Sequence, residues 1–244
     1  MNDASGDGMH GMRVKGAVIL SIGMVSAAVI LGAFFYAARA TEDTIQVVGM
    51  ASQPFEADQV KWTLGISRTA STRELRGGYE AVSEDVRRVL EGMARAGIPA
   101  DAATLQPVTT NPVYGPNGIT DYQISQSLFL VSENLEAVED LALNPAGLLG
   151  EDVLLQNSRL EYFYSGLAEV KRSLLAAATS DARQRADEIA GAAGSRVAGI
   201  RSARAGVFQI TEPFSTEVAA YGIYDTSSRK KEIRVTVHTV FALE

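Results

Sequence analysis

The stretch VKWTLGISRTASTRELRGGYEAVSEDVRRVLEGM, residues 60–93, contains the two periodicities that decide the fold. Its first eight residues alternate apolar and polar side chains, which is typical of a strand with one buried face. From Ser71 onwards, apolar side chains recur every three or four residues until Gly97 and Pro99, which predicts a helix. Ser71 and Glu74 have the spacing of a capping box at the helix start. The predicted apolar stripe consists of Leu75, Tyr79, Val82, Val86, Leu90 and Met93.

Alternating strands and helices continue to the end of the chain. Further strands are predicted at residues 44–51, 104–114, 121–131, 153–164, 196–210 and 232–243, and further helices at residues 135–149 and 167–193. The turn GPNG, residues 115–118, predicts a hairpin, because Pro, Asn and Gly favour a tight reversal. We therefore predict an α+β fold: two-layer, mainly antiparallel sheets with helices on one face, and an optional inner subdomain at about residues 103–165.

Two of these elements have clearly sided faces. In the helix at residues 167–193, the predicted stripe is narrow and rich in alanine, and it consists of Leu167, Val170, Leu174, Ala178, Ala182, Ala186 and Ile189. In the last strand, one predicted face consists of Ile233, Val235, Val237 and Phe241. His238 belongs to the opposite, polar face.

An apolar run near the N-terminus, GAVILSIGMVSAAVILGAFFYAA at residues 16–38, contains no charged residue. As a helix, 23 residues would cover a hydrocarbon core of about 30 Å, so we predict one transmembrane signal-anchor helix. Arg13 and Lys15 precede the run. This positive charge favours a short cytoplasmic tail at residues 1–15 and an extracytoplasmic domain at residues 41–244.

The same region allows two further interpretations. The tripeptide Ala-Arg-Ala at residues 38–40 resembles a signal-peptidase site, although the apolar run is longer than the cores that are usually cleaved. Gly23 with Ala27 and Ala28 with Gly32 have the small-xxx-small spacing that permits close contact between membrane helices. The general abundance of Gly and Ala in membrane helices is the alternative explanation.

Charge and residue types exclude several classes of function. After residue 40 the chain has 19 basic and 27 acidic residues, a net charge of −8, which is unfavourable for binding nucleic acid. It has no cysteine, so thiol catalysis, disulfides and cysteine metal sites are excluded. The two histidines, His10 and His238, accompany no nucleophile or metal motif. We predict no enzyme and no catalytic, cofactor-binding or metal-ligating residue; a hydrolase that uses Asp58 or His238 is a third hypothesis.

The connection GVFQITEPFSTEVAAYGIYDTSSRKK, residues 206–231, is aromatic but has no sustained period. It contains four of the sixteen Phe and Tyr residues, and its candidate contact residues are Phe208, Phe214, Tyr221, Tyr224 and Asp225. Exposed together, four rings would form an apolar patch of the kind that marks an oligomer or ligand interface. Alternatively, the rings pack on their own sheet, and Asp225 closes a turn through hydrogen bonds to its neighbours.

Three segments resemble the SIMPL-domain proteins of bacterial envelopes, a domain of unknown function (DUF541). The first is IQVVGMASQPFEADQVKWTLGI, in which Gly49 and Asp58 fit while Met50 and Ala57 depart from the usual Glu and Pro. The second, NPVYGPNGITDYQISQSLFLV, is similar to the central hairpin through Pro112, Tyr114 and Tyr122. The third, ATSDARQRADEIAGAAGSRVAGI, is similar to the long helix and the next strand through Ala182, Arg185, Ala186 and Gly194. The segments GVFQIT, STEV, YG and DTSS resemble a longer penultimate connection in one branch of the family.

The resemblance implies an extracytoplasmic α+β protein of the bacterial inner membrane, from a family linked to envelope stress in which at least one member forms a large ring-like oligomer. Our first hypothesis is therefore an anchored structural or interaction protein that self-assembles, with lipid at residues 16–38 and other copies of itself as partners. The second is a monomeric binding module in stress defence, whose aromatic connection takes a peptide or a small apolar ligand.

Overall fold

The computed structural model describes residues 7–39 and 43–244, and within the first helix it describes the side chains of residues 18 and 20–36. The helices are α1 (Asp7–Arg39), α2 (Leu75–Arg95), α3 (Leu135–Leu143) and α4 (Leu167–Ala192). The strands are β1 (Thr44–Glu56), β2 (Gln59–Ser71), β3 (Ala103–Leu105), β4 (Thr109–Gly115), β5 (Gly118–Ser132), β6 (Leu154–Phe163), β7 (Val197–Ala205), β8 (Gln209–Thr211), β9 (Ile223–Tyr224) and β10 (Lys230–Leu243). The predicted α+β class is confirmed.

The ten strands form two five-stranded sheets. The first has the order β1-β10-β8-β9, with β7 also paired to β10, and the second has the order β3-β5-β2-β6, with β4 also paired to β5. All these pairs are antiparallel except β8 with β9. The consecutive strands β1 and β2 join different sheets, so the chain changes sheet at residues 57–58. The second sheet draws on residues 59–163, and the predicted inner subdomain covers the later part of that range.

The core of the second sheet lies against α2 and α3. The alternating residues of β2 are buried as their pattern predicts, and Trp62, fully buried, lies among Val89 and Met93 of α2 and Val138 of α3. The Trp62 indole N–H donates to the Ser158 hydroxyl at 2.9 Å, so its one polar atom is satisfied at the edge of the core.

The first sheet packs on α4 through alanines. Ala178, Ala182 and Ala186 are fully buried against β1 and β10, and Gly49 of β1 lies directly beneath the helix. A Cβ at Gly49 would clash with the Ala178 carbonyl oxygen and lie 2.5 Å from the Ala182 nitrogen. The small residues therefore set a close helix-to-sheet distance. The predicted stripe was wrong at its end, since Ile189 is exposed and Ala190 is buried one position later.

The capping box predicted for α2 was also wrong. The helix begins at Leu75, with Glu74 as N-cap and no side-chain capping bond. The Ser71 hydroxyl instead donates to the Glu74 carboxylate at 3.1 Å, because both residues precede the first helical turn. Tyr79 of the predicted stripe is exposed, whereas Val89, which the prediction left out, is buried. The buried face of the helix therefore lies slightly to one side of the predicted one.

The hairpin prediction is confirmed and the single bent strand is not. β4 and β5 flank a two-residue turn, with Gly115 opposite Gly118. The predicted strand at residues 196–210 is two strands, β7 and β8, which both pair with β10. They separate at Gly206, whose N–H donates to the Thr236 carbonyl at 2.8 Å and which lies too close to that strand for a Cβ.

Helix α1 contains the apolar run. Its described side chains are exposed, among them Gly23, Ala27, Ala28 and Gly32. Within the described part of the chain, no helix is both long enough and apolar enough to cross a membrane. Residues 1–6 of the predicted tail, the side chain of His10 and the end of the alternative cleavage site at Ala40 lie outside the described residues.

Candidate interaction surface

The aromatic connection divides into two parts with different surroundings. Residues 212–222, which we call the aromatic loop, expose Phe214 and Tyr221 to 96% and 97%. Residues 223–231, which we call the junction segment, run between the two sheets and include Tyr224 and Asp225. The four rings that the sequence groups together are therefore not equivalent.

The junction segment connects both sheets through its backbone. Three hydrogen bonds do this, from Asp225 N–H to the Ile210 carbonyl at 2.9 Å, from Tyr162 N–H to the Thr226 carbonyl at 2.8 Å, and from Ala57 N–H to the Arg229 carbonyl at 2.9 Å. The first lies in the first sheet, the second reaches β6 of the second sheet, and the third reaches the crossing between them. This half of the connection is structural.

Asp225 closes a turn inside the junction segment. Its carboxylate accepts from the Ser227 N–H at 2.8 Å and from the Ser228 hydroxyl at 3.3 Å. Its carbonyl accepts from the Nζ of Lys231, which is 1% exposed, at 2.5 Å. Burial opposes ionisation of Asp225, but the Ser227 N–H, Lys231 and Ser228 outweigh it, so the pKa of Asp225 lies below its ordinary value. Burial lowers the pKa of Lys231, and attraction to Asp225 offsets this only in part.

We expect the stability of the domain to depend on Asp225 in acid. Because its folded-state pKa is depressed, its contribution is complete above its unfolded-state pKa of about 3.9 and is lost as the pH falls through the lower folded-state value. Asp225→Asn keeps the Ser227 bond and should cost about 1 kcal/mol at pH 7. Urea unfolding followed by circular dichroism should show this difference shrinking as the pH falls below the unfolded-state pKa. A difference that persists unchanged in acid would contradict the assignment.

Phe208 and Tyr224 pack within the chain. Phe208 is half-buried against the core of the first sheet, with the Lys171 Nζ 5.2 Å from its ring centre. Tyr224 meets Phe163 edge to face at 6.2 Å, and burial raises the pKa of Tyr224. These two candidate contact residues therefore follow the intrachain interpretation.

Phe214 is held in an unfavourable backbone conformation. Its φ of +66° lies in the left-handed region, which costs a bulky residue about 1–2 kcal/mol. No packing offsets this cost, since the ring is almost fully exposed. Strained residues that gain nothing in their own chain are common at binding sites.

Two clefts flank the aromatic loop. One, of about 420 Å³, is mainly apolar and is lined by Val207, Val218 and Val235. The other, of about 360 Å³, is lined by Lys171, Val207, Phe208, Ile210 and residues 221–224. Gln209 fixes the loop between them, since its side-chain amide both donates to the Ala219 carbonyl at 2.8 Å and accepts from the Ala219 N–H at 3.4 Å.

A known protein family matches most of the chain. The family described as SIMPL, protein of unknown function (DUF541), matches residues 45–241, which is more than half of the chain. The chain belongs to the SIMPL family. No curated protein matches it. The match begins in β1 and ends in β10, so the aromatic loop lies inside the SIMPL domain and α1 lies outside it.

The residues that could do chemistry in this SIMPL domain are dispersed. Asp58 accepts from the Ser165 N–H at 2.8 Å and the Ser165 hydroxyl at 2.5 Å at the crossing between sheets. His238 is exposed and lies opposite Val48, ten residues before Asp58, or roughly 30 Å along an extended chain. Among the described residues, no group of three His, Asp or Glu is placed to hold a metal ion.

A third cleft, of about 500 Å³, is polar and lies where the sheets meet. Arg229 lines this cleft. Its guanidinium pairs with the Glu56 carboxylate at 2.7 Å and with the Glu139 carboxylate at 3.7 Å. Burial and a hydrogen bond with Glu139 raise the pKa of Tyr162 to about 12. The cation at this cleft is thus already paired with carboxylates of its own chain, which favours a structural role for it. The aromatic loop is the better candidate surface.

Lys171 is the site residue that sequence reasoning missed. It lies in the second turn of α4, while the ring beneath it, Phe208, lies in the connection 37 positions later. Neither periodicity nor composition indicates that these two positions meet. The charge pattern of α4 gave no signal either, because lysine on a helix surface is common.

Proposed function

We propose that this SIMPL protein is a membrane-anchored, extracytoplasmic structural protein that self-assembles through its aromatic loop. A closed ring is the assembly that the family resemblance implies, and envelope integrity or stress defence is the implied role. The observation that carries the proposal is the pair Phe214 and Tyr221, two rings that are almost fully exposed on one loop. Exposed rings on a loop fixed by Gln209 are typical of an interface.

The anchor is supported by the sequence of α1. The run at residues 16–38 is free of charge, and helix α1 is 33 residues long, from Asp7 to Arg39. The side chains at both ends of the run lie outside the described residues, and those described are exposed. Arg13 and Lys15 favour the orientation in which the SIMPL domain lies outside the cytoplasm, in the periplasm or an equivalent space.

The aromatic loop and the start of β1, which follows the proposed anchor in the chain, lie toward opposite ends of the first sheet. Thr44 pairs with Ala242 near the anchor, and Glu56 pairs with Lys230 near the junction segment. Twelve strand residues separate these ends, or roughly 40 Å. The aromatic loop would therefore face away from the bilayer that holds α1, which favours a protein over a lipid surface as its partner.

Self-assembly is tested by mass. Light scattering on a sizing column should give a discrete oligomer for the full chain in mild detergent, after subtraction of bound detergent. Replacing Phe214 and Tyr221 together with serine should lower this mass while circular dichroism stays unchanged, because neither ring packs within the chain. Tyr224 is left in place since it contacts Phe163. A wild-type chain that is monomeric at every concentration would refute the proposal.

A second candidate function is a monomeric binding module. The apolar cleft of about 420 Å³ favours it, because clefts of this size and character take small ligands or peptide side chains. In that case the full chain should be monomeric, and the serine variant should keep its mass but lose ligand-dependent protection from proteolysis.

A further inference from the structure

We infer that the partner of the aromatic loop is the same surface of a second copy, with Phe214 of each copy inserted into the 360 Å³ cleft of the other and Lys171 paired with the acidic residues Glu212 and Glu217. The inference rests on the proposed self-assembly and assigns its contacts. Three neighbouring features of one chain support it: the exposed Phe214 ring, which we call the knob, the apolar cleft, and the opposite charges of Lys171 and the two glutamates.

Size and surface character make the cleft suitable for a ring. Phe208, Ile210 and Tyr224 line it with apolar atoms, and about 360 Å³ is sufficient for a phenyl group. Phe214 is the available group of the right kind. Its ring is almost fully exposed, and no described residue covers it.

Charge complementarity selects a second copy as the occupant. Lys171 lies at the cleft and, within the described residues, forms no ion pair. On the other side of the loop, Glu212 and Glu217 line a small cleft of about 210 Å³ together with Asp225. Neither Glu212 nor Glu217 has a cationic partner in the described part of the chain. Each copy thus carries an unpaired cation beside the cleft and unpaired anions beside the knob.

A two-fold axis between two copies would form the Phe214 contacts and the Lys171 contacts at the same time. In an isologous dimer the contact occurs twice, so each Phe214 enters a cleft and each Lys171 meets carboxylates. Two rings per copy would bury roughly 300–500 Å², less than the roughly 800 Å² per partner of a standard interface, so the neighbouring Val207 and Val218 must contribute. We expect this contact to be one interface of a larger assembly rather than a tight dimer by itself.

The test uses charge reversal in the full chain, with mass measured by light scattering over a concentration series. Lys171→Glu alone should weaken association about tenfold or more, because two attractive contacts become repulsive. The double variant Glu212→Lys with Glu217→Lys should do the same. An equimolar mixture of the two should associate as wild type does, since each contact then joins opposite charges.

Restoration in the mixture separates contacts between chains from contacts within one. A pairing of Lys171 with its own loop would be restored only when all three substitutions lie in one chain. Arg172→Glu is the matched control, because Arg172 is exposed, pairs with Glu169 and does not line the cleft. It should leave association unchanged.

Phe214→Asn tests the knob separately. Asparagine tolerates the left-handed region, so the domain should melt at the same or a higher temperature while association is lost. Tyr114→Ala is the control, since Tyr114 is an exposed ring at the tip of the β4–β5 hairpin. Loss of association with no rescue in the charge-reversed mixture would overturn the inference, and so would wild-type association in Phe214→Asn. Both results leave the proposed self-assembly intact, whereas a monomeric wild type removes both.

Discussion

Replacing Gly49 with alanine is expected to destabilise the domain by about 3 kcal/mol or more, at the upper end of the cost of overpacking. The added Cβ would overlap the Ala178 carbonyl and crowd the Ala182 backbone nitrogen. Neither group belongs to a side chain that can rotate away, so α4 as a whole would have to move from β1. Since α4 covers β10 as well, the change should loosen the entire first sheet.

Urea unfolding followed by circular dichroism measures this effect. Gly77→Ala is the matched control, because a Cβ there meets no heavy atom within 4 Å and the position is exposed on α2. It should stabilise the domain by about 0.5–1 kcal/mol, the usual gain from alanine within a helix. If both substitutions gave the same small change, the close approach of α4 to β1 would be refuted.

Trp62→Ala should cost about 3–5 kcal/mol, the range for removal of a large buried aromatic side chain. Trp62 is fully buried and fills the space between β2, α2 and α3. The cavity would lie beneath two helices that both depend on this side chain for packing. Its loss should therefore affect the second sheet as strongly as Gly49→Ala affects the first.

Trp62→Phe distinguishes lost volume from the lost hydrogen bond. It keeps a ring in the core but removes the bond to Ser158 and a small part of the buried volume, so the cost should be about 1–2 kcal/mol, well below that of Trp62→Ala. Trp62 is the one tryptophan of the chain, so unfolding must be followed by circular dichroism. Equal losses in both variants would contradict a core built around the indole.

Local pattern was sufficient where a strand or helix has one buried face. The buried residues of β2 and β10 follow the alternation of the sequence, and the β4–β5 hairpin follows from its turn residues. The errors occur where the burial of a side chain depends on residues far away in the chain. Tyr79 and Ile189 are apolar at the helical period, yet both are exposed in the folded domain.

The candidate surface was predictable only in part. Composition alone marks residues 206–231 as aromatic, and the hydrogen bonds of Asp225 follow the turn chemistry expected of that residue type. The difference between Phe208 and Tyr224, which contact other side chains of the domain, and Phe214 and Tyr221, which are almost fully exposed, does not follow from composition. It depends on where Phe163 and Lys171 lie, and both come from other elements of the fold.

The sequence by itself therefore determined the α+β class, the SIMPL family, the uncharged N-terminal run and the absence of cysteine chemistry, because these depend on residue type and local period. Only the tertiary structure decided that β1 and β2 belong to different sheets, that Gly49 lies beneath α4, and that Phe214 and Tyr221 are almost fully exposed. The physical reason is that pairing and burial depend on contacts between residues far apart in the chain. A local pattern shows that a side chain needs a partner, and the fold determines which partner it meets.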